Sequence, residues 1–300
     1  MDDKKYGLVL AGGGAKGAYQ IGALQALKEM GVLDNVIAVA GNSIGSVNMS
    51  LLLGADLDKA KGLWSNVVPE DFVDIDIDKP VSVPFVDGVF SREGMIRLLS
   101  ENVDFAKISA LDIPVYITVA EATHDADIMK AKYVKVNGLS SEEILKYVIA
   151  SSAIPVMYSS VSVGEGRYMD GGFVDNTPVR PVYDGGVKDI IVISNDSEYV
   201  PEKDKFPEAN LLAIIPSKPL DMDFTIGTVD FSQANIQYRM KLGYMDAKTQ
   251  MLGYLSGTNV VSDKIIEGNH NLAMHEHNRS VLEASYNSNM QGLAKLLGDL

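Results

Sequence analysis

Val36 to Leu53, reading VIAVAGNSIGSVNMSLLL, is the stretch on which the fold turns. Val36 to Ala40 is a short apolar run without helical spacing, which suits a buried strand, and the small and apolar residues of Ser46 to Leu53 suit a buried helix. Between them, Gly41-Asn42-Ser43-Ile44-Gly45 matches the GxSxG elbow. Glycines flank the serine in that motif because a strained strand-to-helix turn leaves no room for side chains. Ser43 would then project above the sheet edge, with Gly41 and Gly45 supporting the turn. The Ile44 amide and the positive end of the following helix would lie beside a reacting carbonyl oxygen. An ordinary Gly-rich turn is the competing reading.

The same grammar precedes the elbow. Tyr6 to Ala11 (YGLVLA) reads as a buried strand entering Gly12-Gly13-Gly14-Ala15-Lys16-Gly17. From Ala18 to Met30 the residues Ile21, Leu24, Leu27 and Met30 recur at helical spacing, with Gly31 placed to stop the helix. Consecutive glycine amides at the mouth of a helix suit negative charge, either an oxyanion or a pyrophosphate. Gly12, Gly14 and Gly17 also satisfy GxGxxG. The dinucleotide-binding fold, however, wants a carboxylate at the end of the second strand, and here that strand ends in Ala40-Gly41-Asn42-Ser43. A P-loop is excluded, because Lys16 does not close a GxxxxGK run.

Further on, Leu57–Asn66 and Ser91–Glu101 are helix candidates. An acidic, Pro-containing stretch between them, DFVDIDIDKPVSVPFVDG, reads as a surface excursion, with Phe72 to Phe90 a candidate lid. Ile113–Ala120 is a β-branched strand that Tyr133–Val136 can pair, and Ser140–Ala150 opens with a helix N-terminal signature. Val161–Met169 alternates around a turn at Gly164-Glu165-Gly166. Asp189–Ser194 and Leu211–Ile215 are buried-strand candidates, and Thr228–Leu255 holds a long helix. This alternation predicts an α/β protein, three-layer α/β/α with a central, mostly parallel sheet. Residues 1–255 form the expected catalytic domain. Residues 256–300 are expected as a C-terminal extension packed on it, helical from Arg279 to Leu297.

With 300 residues, 46% hydrophobic and 22% charged, the chain has the composition of a globular protein. A formal charge of −14 opposes general attraction to nucleic acid or anionic lipid. The absence of Cys excludes disulfides, a thiolate nucleophile and Cys-ligated zinc. Six apolar or glycine residues after Met1-Asp2-Asp3-Lys4-Lys5 are too few for a signal-peptide core, and no segment approaches the ~20 apolar residues of a membrane span. The expectation is a cytoplasmic protein, with secretion by a route lacking a cleaved signal also compatible.

Tyr168-Met169-Asp170-Gly171-Gly172 sets a carboxylate at a strand end, followed by two glycines that admit close backbone approach. A turn-capping Asp is the plainer reading. A Ser-His-Asp hydrolase would need a late histidine, and His270, His275 and His277 lie in a polar stretch without a strand end to present one. His124 precedes Asp170 in a polar loop.

GGGAKG near the start, GNSIG after the second strand and DGG after a helix reading ASSAIP form an ordered set that resembles the patatin-like phospholipase family. The likeness covers residues 6 to 195, including Asp170 to Pro178 (DGGFVDNTP), and bacterial members also resemble Leu242-Gly243-Tyr244. The resemblance implies Ser43 as nucleophile and Asp170 as sole base, with Gly12, Gly13 and Gly14 supplying oxyanion-hole amides. Lys16, Gly17, Gly41, Gly45, Gly171 and Gly172 support those loops. It further implies acyl-ester lipids, phospholipid or lysophospholipid, as substrates, with transient membrane-surface contact and no cofactor or metal. Lys16 stands where many members carry Arg, and Asn42 where Thr or another small residue is usual. An acyltransferase or thioesterase using the same dyad, and a non-catalytic lipid-binding protein, are the alternatives.

Overall fold

The structure is a computed structural model that describes residues 4–68, 74–75, 90–122, 129–155, 157–220, 228–257 and 263–298. Its first half runs β1 (Tyr6–Leu10), α1 (Gly17–Glu29), β2 (Val36–Asn42), α2 (Ile44–Gly54), α3 (Leu57–Asn66), β3 (Asp74–Ile75), β4 (Phe90–Ser91), α4 (Glu93–Asn102) and α5 (Phe105–Ser109). There follow β5 (Val115–Glu121), β6 (Ala131–Lys135), α6 (Ser141–Ser151), β7 (Val161–Val163), β8 (Gly166–Asp170) and α7 (Arg180–Asp184). The chain continues through β9 (Asp189–Ile193), β10 (Asn210–Ile214), α8 (Gln233–Ser256) and α9 (Asp263–Gly298).

β1 is buried along its whole length, as a central parallel strand covered on both faces must be. The main sheet has the order β10-β9-β1-β2-β5-β8-β7, with β6 also paired to β5. The strands from β10 to β5 in that order run parallel, while β6, β7 and β8 pair antiparallel. Strand alternation sorts side chains into two cores. Leu8, Leu10, Val39, Ile191 and Ile193 join Tyr19, Leu24 and Leu27 of α1 and Ile236 of α8 on one face. Val9, Ala38, Ala40, Ile190 and Val192 meet Val179, Val182 and Phe206 on the other. Two cores around one sheet make the three-layer α/β/α fold.

α1 and α8 touch backbone to backbone. A methyl group on Gly22 would collide with the Met240 carbonyl, and one on Gly243 with the Tyr19 carbonyl. The Leu242-Gly243-Tyr244 stretch is therefore a packing element. α6 starts on a full capping box, in which Ser140 and Glu143 satisfy each other's backbone N–H groups at 3.0 and 3.3 Å.

The long helix expected within Thr228–Leu255 is α8, which begins at Gln233. One expected boundary is corrected. The last helix begins at Asp263, well before Arg279, and runs 36 residues. Its early turns carry no apolar period because the residues they bury include Asn269 and Ala273, neither a large hydrophobe. His270, His275 and His277 consequently lie on a helix; His270 Nδ1 is 3.2 Å from the Tyr238 hydroxyl of α8. The stretch 71–88 and the lid candidate Phe72–Phe90 fall outside the described residues, except for β3 and β4, which pair antiparallel. Among the described residues, no helix is long and apolar enough to cross a membrane.

Candidate active site

The glycine loop follows β1 and the elbow follows β2, at the carboxyl ends of parallel strands where the sheet order switches direction, the usual place for ligands in open α/β sheets. Register brings the third piece. On β5, Thr118 is paired with Asn42 of β2, and the next residue, Val119, with Asp170 of β8. Residues 43 and 170 are thus brought to one place by a strand that carries neither.

Ser43 has φ 51° and ψ −127°, the one positive φ of a non-glycine among the described residues. Such a conformation costs about 1–3 kcal/mol and persists only where its surroundings hold it. Here the Ser43 N–H donates to Ser151 Oγ at 2.8 Å, and the Ser151 hydroxyl donates to the Thr118 carbonyl at 2.7 Å. The Ser43 carbonyl accepts from Ser46 N and Ser46 Oγ at 2.9 and 2.7 Å. Gly45 backs onto the carbonyls of Leu10 and Ala11, and Gly41 onto Gly45 and Ser46, so neither position has space for a side chain.

Asp170 ends β8, and its Oδ1 accepts from Gly172 N at 2.7 Å and Asn42 Nδ2 at 3.4 Å. The Ser43 hydroxyl lies near enough to this carboxylate to favour its ionised form. Burial pushes the Asp170 carboxyl above its ordinary range, and Ser43, Gly172 and Asn42 pull it partly back. Gly171 lies against Asn42 Oδ1 and Thr118, another contact that excludes a side chain.

The glycine loop is less open than its composition suggests. The Gly12 N–H donates to the Asn176 carbonyl at 3.1 Å, so its amide is committed and the expectation that Gly12 supplies an oxyanion donor is corrected. The amides of Gly13, Gly14 and Ile44 make no hydrogen bond among the described residues. Lys16 closes a 3-10 turn by donating its N–H to the Gly13 carbonyl at 3.2 Å, and Gly17 starts α1 against Ile44.

Sequence reasoning missed the buried polar chain that holds this loop. Trp64 Nε1 donates to Asn48 Oδ1 at 2.8 Å, Asn48 Nδ2 to Gln20 Oε1 at 2.9 Å, and Gln20 Nε2 to the Ala11 carbonyl at 2.7 Å. Asn195 Nδ2 donates to the Gly12 carbonyl at 3.1 Å, and Asn42 Nδ2 bridges to Asn176 Oδ1 at 3.2 Å. The available signal was an amide in the buried, mostly small and apolar first turn of α1, Gln20, and the lone amide of α2, Asn48. Buried amides are normally paired, so their presence there implies a fixed partner.

Above Ser43 opens a narrow cleft walled by Ile44, Met95, Ile154, Met157, Tyr158 and Phe231, with Gly14 also at its surface. No histidine lines it; His124 is outside the described residues. Nor does any group of three His, Asp or Glu side chains, among the described residues, stand ready for a metal ion.

A family model described as patatin-like phospholipase matches residues 8–183. Lysophospholipase NTE1 of Cryptococcus neoformans is 30% identical over 192 residues, 63% of this chain and 11% of that protein. An uncharacterized NTE family protein of Mycobacterium bovis is 28% identical over 201 residues, 67% of this chain and 52% of that one. The chain therefore spans between a ninth and a half of these relatives' lengths. Among solved structures, VipD from Legionella pneumophila shares the fold, with a TM-score of 0.54 at 14% identity over 97% of this chain and 77% of that one.

Proposed function

This chain belongs to the patatin-like phospholipase family, and from that premise we propose that it is a serine lipid acyl hydrolase with Ser43 as nucleophile and Asp170 as its base. The observation that carries the reading is a strained Ser43 lining an apolar cleft, with the buried Asp170 carboxylate close to its hydroxyl and three amides that make no hydrogen bond among the described residues.

In the first step Asp170 takes the hydroxyl proton while Ser43 Oγ attacks the ester carbonyl. The amides of Gly13, Gly14 and Ile44, together with the positive end of α2, stabilise the oxyanion. As the tetrahedral intermediate collapses, protonated Asp170 returns its proton to the leaving alkoxide. Water then loses a proton to Asp170 and attacks the acyl-serine, releasing fatty acid and restoring the dyad. Asp is intrinsically a weak base; burial raises its basicity, and the apolar walls of the cleft beside Ser43 suit an acyl chain.

The proposed substrates are long-chain acyl esters of phospholipid or lysophospholipid type, a reading supported by the family and by the name of the fungal relative. Residues 1–255 form the hydrolase domain in this reading, with the 256–300 extension packed on it through α8 and α9. The test is a lipid panel with mass-spectrometric identification of products. Ser43→Ala should abolish ester cleavage and acyl-phosphonate labelling, and wild-type turnover by Asp170→Asn would remove the dyad from consideration.

A further inference from the structure

Arg92 is a cation that the acyl chemistry leaves unused. It directly precedes α4, whose Met95 one turn later walls the Ser43 cleft, and its guanidinium carbon lies 5.2 Å from the ring centroid of Tyr158, another wall residue. Its Nε and Nη2 atoms are shielded from solvent and make no hydrogen bond among the described residues. No carboxylate faces it there; the group it meets electrostatically is the Tyr158 phenol. Burial pulls the guanidinium down to about 10, which leaves it charged at neutral pH.

Buried donors without acceptors are rare in folded proteins, and a guanidinium has no route to neutrality that would relieve the deficit. Its planar fork matches the oxygens of a phosphate or carboxylate better than any other common group. Stacking on Tyr158 fixes the plane of that fork but satisfies none of its N–H groups. The overall charge of −14 disfavours anions in general, so discrimination for an anionic substrate must come from a local, desolvated cation of this kind.

We propose that Arg92 is the specificity-determining residue of the cleft, recognising a phosphate on the acyl-ester substrate while the acyl chain lies against Met95, Ile154, Met157 and Phe231. The inference rests on the hydrolase reading for its substrate class, yet it is testable without turnover. The probes are two non-hydrolysable ethers of the same chain, 1-O-dodecylglycerol 3-phosphate and 1-O-dodecylglycerol, titrated calorimetrically into the full chain below their aggregation limits. The wild type should bind the phosphorylated ether more tightly. Arg92→Met and Arg92→Gln should each weaken it by about 10- to 100-fold, the range for charged hydrogen bonds, while leaving the neutral ether within about twofold. Either variant suffices if the other does not fold. Equal affinity of the wild type for both ethers, or an equal loss on both in a folded variant, would overturn the proposal. A matched pair of acyl esters separates the two readings: phosphate-dependent binding without hydrolysis removes the hydrolase and keeps the anion site, and hydrolysis without phosphate preference does the reverse.

Discussion

Asp170 and Asp246 are both buried carboxylates whose pKa is raised chiefly by desolvation, yet they sit in interiors of opposite kind. Asp246 of α8 is saturated: it accepts from the Tyr19 hydroxyl at 3.3 Å, Ser217 N at 2.9 Å and Asn269 Nδ2 at 3.1 Å, tying α1, α8, α9 and the loop after β10 together. Around Asp170 the accounting stays open. Among the described residues Asn42 Oδ1 and Thr118 Oγ1 are buried without partners, as is Ser217 Oγ beside Asp246, but here Ser43 is held in a strained conformation and lines a cleft. Burial and a raised pKa therefore do not by themselves mark chemistry in this molecule. A strained serine and an adjoining cleft separate a reactive carboxylate from a structural joint.

Substituting the two carboxylates is the sharpest way to break that comparison. Asp170→Asn should lower ester turnover by about 10⁴-fold, the scale seen when a triad acid is made neutral. It should also leave the fold at least as stable at neutral pH, as measured by thermal melting. The sign follows from linkage. A carboxyl raised in the folded state contributes stability that is present below its unfolded pKa and lost as pH rises through its folded pKa. The melting advantage of Asp170→Asn should accordingly grow as pH rises above the ordinary carboxylate range; a variant that melts lower than wild type at neutral pH would place Asp170 with the structural carboxylates.

The helical layer should respond in the opposite sense. Gly243→Val forces a side chain into the Tyr19 carbonyl and should cost about 3 kcal/mol in denaturant unfolding, at the upper end of overpacking effects. Asp246→Ala strands the Tyr19 hydroxyl, the Ser217 N–H and the Asn269 amide, and should cost about 2–3 kcal/mol while turnover per folded molecule stays near wild type. A selective loss of turnover in that variant would erase the distinction between the regions.

Asn42→Thr is the mildest probe. It removes a donor that favours ionised Asp170, so the acid limb of the kcat/KM profile should move to higher pH. Turnover at neutral pH should change by less than about tenfold, in keeping with one neutral hydrogen-bond donor. An unmoved acid limb would show that the 3.4 Å contact does not tune the carboxylate.

Local chemistry explains what could be read beforehand. β1, β2 and β9 are legible as apolar runs because a central parallel strand buries both faces. Gly41 and Gly45 are legible because close backbone approach is written as the absence of a side chain. The early turns of α9 were illegible because Asn269 and Ala273 face α8 where a periodic pattern would show large hydrophobes. Gly12 looked available because nothing in a glycine run discloses that a carbonyl 164 positions on, at Asn176, takes its amide.

By itself, then, the sequence determined the layered architecture, the sharp turn at Ser43 and the identity of a serine and a carboxylate as candidates, since each depends on spacing, side-chain size or composition within a few residues. Only the tertiary structure decided that Ser43 and Asp170 meet, through consecutive pairings on β5. It also decided which loop amides remain open, which buried amides hold the loop, and that Arg92 Nε and Nη2 lie beside the cleft with no partner among the described residues. Those are contacts between residues distant in the chain, and their energy depends on which groups burial leaves without water or a partner.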